Sequence, residues 1–419
     1  MKNIILKLKD MKEASRQLRV LSSLEKNKVL ENLATLLLEQ QGSILAANQL
    51  DLVEYKKSNN FQYAFEDRLR LTAARLDYMR DSLLSVATLS DPVGLVTEEK
   101  ELANGLSLKK IQGPLGLIFM IFESRPNVVT EAFSLAFKSG NAIILKGGKE
   151  SDHTSAILYK LIETALDKNK ISKNVLWGLV GASRADTDIL IKQHRFIDVL
   201  IPRGGDTLIE YVTQHSTIPL IKNDRGLCHI YVAAEADQQM ALEIVDNAKT
   251  QRPGVCNAAE TVLVDAKIAV DFLPLLYARL HAKQVEIFAC EKSLSILPKD
   301  GEVSAATDSS YGTEYLDLKI NIKIVNGLDQ ALDHIETYGS HHSECIITAN
   351  QKIADRFQNE VDAAAVYWNA STRFTDGYEF GLGGEIGIST QKLHVRGPVG
   401  LMSLTSGRWV IKGNGQIRG

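Results

Sequence analysis

Cys256 stands in Arg252-Pro253-Gly254-Val255-Cys256-Asn257, between a helix-like run over 237–250 and a strand-like run over 261–265. Proline and glycine just ahead of it put the thiol in a loop, and Gly254 admits a close ligand or an unusual backbone angle. A loop thiol is a candidate nucleophile. A free thiol has a pKa of about 8.5, so little of it is thiolate at neutral pH, and Arg252 is the nearby cation that would lower it. Cys228, Cys290 and Cys345 lie in or beside apolar strands and read as small hydrophobes.

Two glycine pairs could cradle phosphate or ribose. Lys146-Gly147-Gly148-Lys149-Glu150 follows the strand-like AIILK run, and Pro202-Arg203-Gly204-Gly205-Asp206 follows IDVLI. Ligands in open α/β sheets bind at the carboxyl ends of the strands, and glycine lets backbone N–H groups approach a phosphate there. Either could equally be an ordinary β–α turn. The dinucleotide fingerprint G-x-G-x-x-G is absent after the first strand, which disfavours a conventional Rossmann dehydrogenase. Asn127, beside Pro126 and just after a strand, reads by itself as a helix cap. No Ser-His-Asp order, H-E-x-x-H helix or zinc-like cysteine spacing is present, so no metal is expected.

These residues need a scaffold. Strand-like runs at 115–120, 142–146, 175–180, 197–201 and 218–221 alternate with helix-like segments such as 128–138, the latter closed by Gly140. A second series follows at 228–232, 261–265, 285–289, 320–325 and 344–348, with helices over 237–250 and 328–338 between strands. Continuous apolar strands between helices mean parallel sheets covered on both faces, so the chain is α/β with two units of similar size. Residues 12–90 read as helices with Leu18, Leu21, Leu24, Leu30, Leu33 and Leu37 on one face. Over 93–113, Asn104-Gly105 separates two alternating runs, a hairpin signal. The strand-like stretch 406–418 could pair with such a hairpin from a neighbouring subunit.

The 419 residues, with 45% hydrophobic and 24% charged, suit two or three soluble domains and exclude a disordered or fibrous chain. A net charge of −3 gives no basic excess for nucleic acid or an anionic membrane. The first twenty residues lack the apolar core of a secretory signal, and 115–122, the longest apolar run, is far short of a membrane span. Four scattered cysteines make no disulfide framework, so a reducing cytoplasm is expected.

Three long segments carry a resemblance: GPLGLIFMIFESRPNVVTEAFSLAFKSGNAIILKGGKES (113–151), RPGVCNAAETVLV (252–264) and VYWNASTRFTDGYEFGLGGEIGISTQKLHVRGPVGL (366–401). They closely resemble the gamma-glutamyl phosphate reductases, a branch of the aldehyde dehydrogenase superfamily, and the likeness runs nearly end to end. It implies an aldehyde-dehydrogenase-like fold of two three-layer α/β domains with a small β element. On this chain, 1–94 with 114–226 would bind cofactor, 227–397 would carry the catalytic cysteine, and 95–113 with 398–419 would form the oligomerisation hairpin and strand of a homo-oligomer. The implied reaction is NADPH-dependent reduction of L-glutamate 5-phosphate to L-glutamate 5-semialdehyde and phosphate, the second step of proline biosynthesis from glutamate. Glutamate 5-kinase would supply the acyl phosphate.

By the same resemblance Cys256 forms a thioester, and the Asn127 amide with the Cys256 N–H stabilises the oxyanion. Lys146 contacts the adenosine ribose, Lys149 suits a 2′-phosphate, and Glu314 holds the nicotinamide ribose. Ser124, Arg125, Ser371, Thr372 and Arg373 are the candidates for substrate, arginine being suited to oxyanions by its bidentate fork. Oxidising members carry a glutamate before the strand leading into the catalytic domain; here Lys222-Asn223-Asp224-Arg225-Gly226 has none, which favours reduction, although Asp224 is a possible base. The competing readings are an aldehyde-oxidising dehydrogenase of the same superfamily and a catalytically inactive cofactor-binding protein.

Overall fold

The computed structural model describes residues 2–58, 63–123, 125–223, 225–299, 301 and 303–418. Contacts divide the chain into two compact units: Met1–Asn223 with Gly381–Gly387 and Gln391–Gly419, and Asp224–Phe380 with Ile388–Thr390.

In the first unit, helices cover Lys2–Leu18, Ser23–Glu39, Gln41–Lys56 and Ala73–Thr88. Helix therefore begins ten residues before position 12, where the lysines of 2–12 alternate with Leu8 and Met11, both buried. The six leucines do not form one continuous face. Ser22 caps a new helix with Glu25 in a reciprocal capping box, which resets the phase and leaves Leu24 63% exposed, while Leu30, Leu33 and Leu37 are buried.

The strands are β1 (Val96–Glu101), β2 (Ser107–Pro114), β3 (Leu117–Phe122), β4 (Ala142–Lys146), β5 (Leu176–Leu179) and β6 (Val199–Arg203). The last four make a parallel sheet in the order β5-β4-β3-β6. Every residue of β3 is buried, as a central strand covered by helices on both faces requires. The expected strand over 218–221 shrinks to one bridge, Leu200 to Leu220, because Pro219 lacks the N–H for a longer ladder. The helix Val128–Lys138 ends as expected, with Gly140 in the left-handed region at φ 80°.

β1 and β2 form the hairpin around Asn104-Gly105. The terminal strand Thr405–Lys412 pairs antiparallel with β2 of the same chain, from Thr405 opposite Pro114 to Lys412 opposite Ser107. That corrects the expectation of pairing with a neighbour's hairpin: β2 spends both its edges inside its own chain, leaving β1 and the terminal strand as the sheet's outer strands.

The second unit holds β7 (Cys228–Val232), β8 (Ala259–Asp265), β9 (Glu286–Ala289), β10 (Val303–Ala305), β11 (Lys319–Val325), β12 (Ser343–Ile347) and β13 (Ala365–Trp368). They form a parallel sheet in the order β10-β9-β11-β8-β7-β12-β13. The helices Gln238–Thr250, Ala269–His281, Leu328–Tyr338 and Gln351–Glu360 supply crossovers. Among the described residues, no helix is long and apolar enough to cross a membrane.

Candidate active site

In the first unit the sheet register aligns the carboxyl ends of three strands. Ile121 of β3 lies opposite Lys146 of β4, and Phe122 lies opposite Arg203 of β6. Both glycine loops thus leave the same edge of the sheet. Lys146 is half-buried, and its ammonium makes no hydrogen bond among the described residues. Burial holds its ammonium below the usual lysine range, partly offset by the carboxylates of Asp152 and Glu150. Lys149 opens a short 3₁₀ turn and is exposed.

After β6, Gly205 caps the helix Asp206–His215 with no side chain of its own to offer. Its N–H donates to Oε2 of Glu123 at 2.9 Å. A Cβ on Gly204 would stand 2.6 Å from the Glu123 carboxylate. At the expected anion cradle, the Gly205 N–H is taken by a carboxylate of this chain. Beside it, Nη1 of Arg203 is buried without a partner. Sequence reasoning passed over Glu123, because nothing local ties residue 123 to residue 205.

Asn127 sits at the cap position of helix Val128–Lys138, but in a right-handed helical conformation and without a side-chain cap bond. Its amide is therefore not spent as the capping group that its position suggests. Arg125 is half-buried, and Ser124 lies outside the described residues. Within 222–226, the Lys222 N–H donates to Gln391, and the Asn223 amide donates to the Pro202 carbonyl at 3.1 Å. Asp224 is also outside the described residues.

In the second unit, a hydrogen bond from Ala258 N to Val255 O at 3.1 Å closes a turn with Cys256 and Asn257 at its centre. Cys256 is half-buried, whereas Asn257 is 3% exposed. Asn257 is the anchor. Its carbonyl accepts from Thr372 Oγ1 at 2.7 Å and its amide donates to the Thr375 carbonyl at 2.8 Å. The Arg373 guanidinium donates to Asn257 Oδ1 and, through Nε, to Gln251 at 2.9 Å. Ser371 caps the following turn by accepting from the Arg373 N–H. The predicted residues Ser371, Thr372 and Arg373 are therefore gathered around the Cys256 turn, with Thr372 fully buried as its brace.

The carbonyl of Cys256 has its own niche. Cys228 Sγ donates to it at 3.2 Å, and a Cβ on Gly226 would fall 1.6 Å from its oxygen. The Gly226 N–H in turn donates to Glu314 Oε1 at 2.9 Å. Glu314 is thus connected to Cys256 through one glycine. Cys228 is fully buried, as expected of a small hydrophobe, and its thiol in addition makes a polar contact that the sequence did not suggest. Neither Gly226 nor Cys228 carries a local signal, since each meets Cys256 only through the sheet.

The electrostatics favour an anion at this turn. Arg373 is held below the usual guanidinium range, first by burial and then by the charge of Arg252, while Asp376 and Cys256 act in the opposite sense. The Arg373 guanidinium therefore lies within electrostatic reach of both Arg252 and Cys256. Behind Cys228, His342 Nδ1 lies 2.9 Å from Ser343 Oγ, which lies 2.6 Å from Thr375 Oγ1. Burial pulls His342 down to about 4, against the opposing charges of Glu344 and Glu314, so it is neutral at physiological pH. Lys249 and Glu260 form a buried ion pair at 2.9 Å at the start of β8, and burial pushes Glu260 up to about 7. Among the described residues no group of three His, Cys, Asp or Glu side chains could hold a metal ion.

Comparison with known proteins agrees with this architecture. Residues 2–289 match the model of the aldehyde dehydrogenase family. The chain is 45% identical over 418 residues to a gamma-glutamyl phosphate reductase of Nautilia profundicola, covering 100% of both chains. It is 47% identical over 411 residues to one of Francisella philomiragia, covering 98% of both. The crystal structure of gamma-glutamyl phosphate reductase from Thermotoga maritima superposes with a TM-score of 0.95 at 41% identity, over 99% of each chain. An acetylating aldehyde dehydrogenase from Geobacillus thermoglucosidasius shares the fold at a TM-score of 0.72 and 17% identity, covering 100% of this chain and 98% of its own.

Proposed function

The chain belongs to the aldehyde dehydrogenase family and, within it, to the gamma-glutamyl phosphate reductases, and from that membership we propose that it reduces L-glutamate 5-phosphate to L-glutamate 5-semialdehyde through a thioester on Cys256. The observation that carries the proposal is the turn at Cys256: a half-buried thiol on a braced backbone, within electrostatic reach of the Arg373 guanidinium.

The Cys256 thiolate attacks the γ-carbonyl, phosphate leaves with the C–O bond pair, and a thioester forms. The charge of Arg373 favours the thiolate, and with Arg252 beside it the approach of a phosphorylated substrate. The oxyanion of each tetrahedral species is assigned to the Cys256 N–H and the Asn127 amide, the latter unspent as a cap. Loss of one such donor costs about 3–4 kcal/mol. Collapse of the second tetrahedral species returns the sulfur to Cys256 as thiolate and releases the aldehyde.

The cofactor reading is NADPH, bound in the first unit. The residues fit such a group: Lys146 is half-buried with an unpartnered ammonium and Lys149 is an exposed cation suited to a 2′-phosphate, whereas the Gly205 N–H becomes available only when Glu123 moves aside. A reduced nicotinamide supplies hydride to the thioester. Glu314 is assigned to the nicotinamide ribose, and Ser124, Arg125, Ser371, Thr372 and Arg373 to the substrate. The segments 95–113 and 398–419 are assigned to homo-oligomer formation, the compartment to the cytoplasm, and the supply of acyl phosphate to glutamate 5-kinase.

The reverse assay tests this. Reduction of NADP⁺ by glutamate semialdehyde that depends on inorganic phosphate is the expected result. Phosphate-independent reduction contradicts it.

A further inference from the structure

We propose that Cys228 is a positioning residue for the nucleophile, its buried thiol fixing the peptide plane between Cys256 and Asn257 by donating to the Cys256 carbonyl. The inference rests on the reading of Cys256 as nucleophile and goes beyond it.

Residues 255–258 close through Ala258 N to Val255 O, so the peptide between Cys256 and Asn257 is the central one. In a β-turn that plane can flip, interchanging turn types and reversing the carbonyl at modest cost. A flip changes ψ at Cys256 and φ at Asn257 together, reversing the carbonyl and N–H dipoles beside the reacting sulfur while the chain path is kept. Three groups select one state. Gly226 leaves a hole in which the Cys256 oxygen sits, at a place where any Cβ would be 1.6 Å away. Cys228 Sγ meets the same oxygen at 3.2 Å. Thr372 Oγ1 holds the next carbonyl, that of Asn257, at 2.7 Å.

A thiol is a weak donor, but this one is fully buried, so a flipped turn would leave it and the niche unfilled by water. Burial, reinforced by the charge of Glu344, keeps Cys228 protonated, which is what donation requires. His342 Nδ1 lies 3.8 Å from the same sulfur. Its neutral state places no cation there to draw the proton off as thiolate. Being inaccessible, Cys228 is a support for the reactive sulfur and not a second reactive thiol.

The test compares Cys228→Ala, Cys228→Ser and Cys256→Ala in the phosphate-dependent reverse assay, with thermal midpoints and iodoacetamide alkylation rates against pH. Cys228→Ala is expected to lower kcat about 10-fold and slow alkylation of Cys256, because a small displacement of a reacting group is costly. KM should stay within about twofold, since no substrate contact is removed. Cys228→Ser, whose hydroxyl donates to the same oxygen, should recover most of kcat. Normal kcat in Cys228→Ala, or no advantage of serine over alanine, overturns the proposal. Should the alanine variant fail to fold, Cys228→Thr and Cys228→Val make the same comparison at matched volume, threonine being the faster; equal rates overturn it. The two readings fail differently. Turnover by Cys256→Ala removes the nucleophile itself, whereas an inactive Cys256→Ala beside a normal Cys228→Ala removes only the niche.

Discussion

Glu123 Oε2 lies 2.9 Å from the amide nitrogen of Gly205, so the N-terminus of helix Asp206–His215 already holds a carboxylate. Any anionic cofactor group at that helix must share it with, or displace, Glu123. Neutralising the side chain removes a like charge worth a few tenths to about 1 kcal/mol at such a site. Glu123→Gln is therefore expected to bind NADP⁺ roughly two- to fivefold more tightly at low salt. Fluorescence titration measures this, and unchanged or weaker binding would separate the Glu123 site from the anion site.

Lys149 is the residue proposed above for the 2′-phosphate. It is exposed, so its effect is modest and screened by salt. Lys149→Glu is expected to weaken NADPH by about 5- to 10-fold at low ionic strength and to leave NADH nearly unchanged. Equal losses for the two cofactors would remove the basis for 2′-phosphate recognition at this residue.

Gly226→Ala should be severe. The added Cβ meets backbone, the Cys256 carbonyl at 1.6 Å, and backbone cannot swing aside as a flexible side chain can. A loss of about 2–4 kcal/mol in stability, or a displaced nucleophile turn with little activity, is expected. Denaturant midpoints together with kcat decide between these, and a stable, fully active variant would contradict the described niche.

Much of the scaffold was legible because its signals are local. The runs AIILK and CHIYV coincide residue for residue with β4 and β7, and 128–138 and 328–338 with their helices. Continuous apolar strands and amphipathic helices announce themselves within a few residues. The first helix was harder, its apolar residues being diluted by lysine, and so were short strands such as Val303–Ala305. In the site, Cys256 could be picked out from Pro253 and Gly254, and Arg373 from its block. Gly226, Cys228, Asn257 and Glu123 could not, because their roles arise where distant segments meet: Glu123 with Gly205, and Thr372 with Asn257.

His342 gives a pH dependence of known sign. Its folded pKa of about 4 lies below an unfolded value of 6.5, so the fold resists its protonation. The resulting stability is fully present above pH 6.5 and is lost as pH falls through 6.5 towards 4, amounting to about 3 kcal/mol. His342→Gln should flatten that acid limb while lowering stability at neutral pH. Urea unfolding at several pH values measures it; an unchanged slope between pH 6.5 and 4 would exclude His342 as the titrating group.

The central claim is covalent chemistry at a single sulfur. Rapid acid quench of the enzyme turning over glutamate semialdehyde with NADP⁺ and limiting phosphate, followed by peptide mass spectrometry, tests it directly. A glutamyl adduct on the peptide carrying Cys256, lost on addition of phosphate, is the predicted result. Continued turnover with no adduct at Cys256, or with the adduct on another residue, would contradict it.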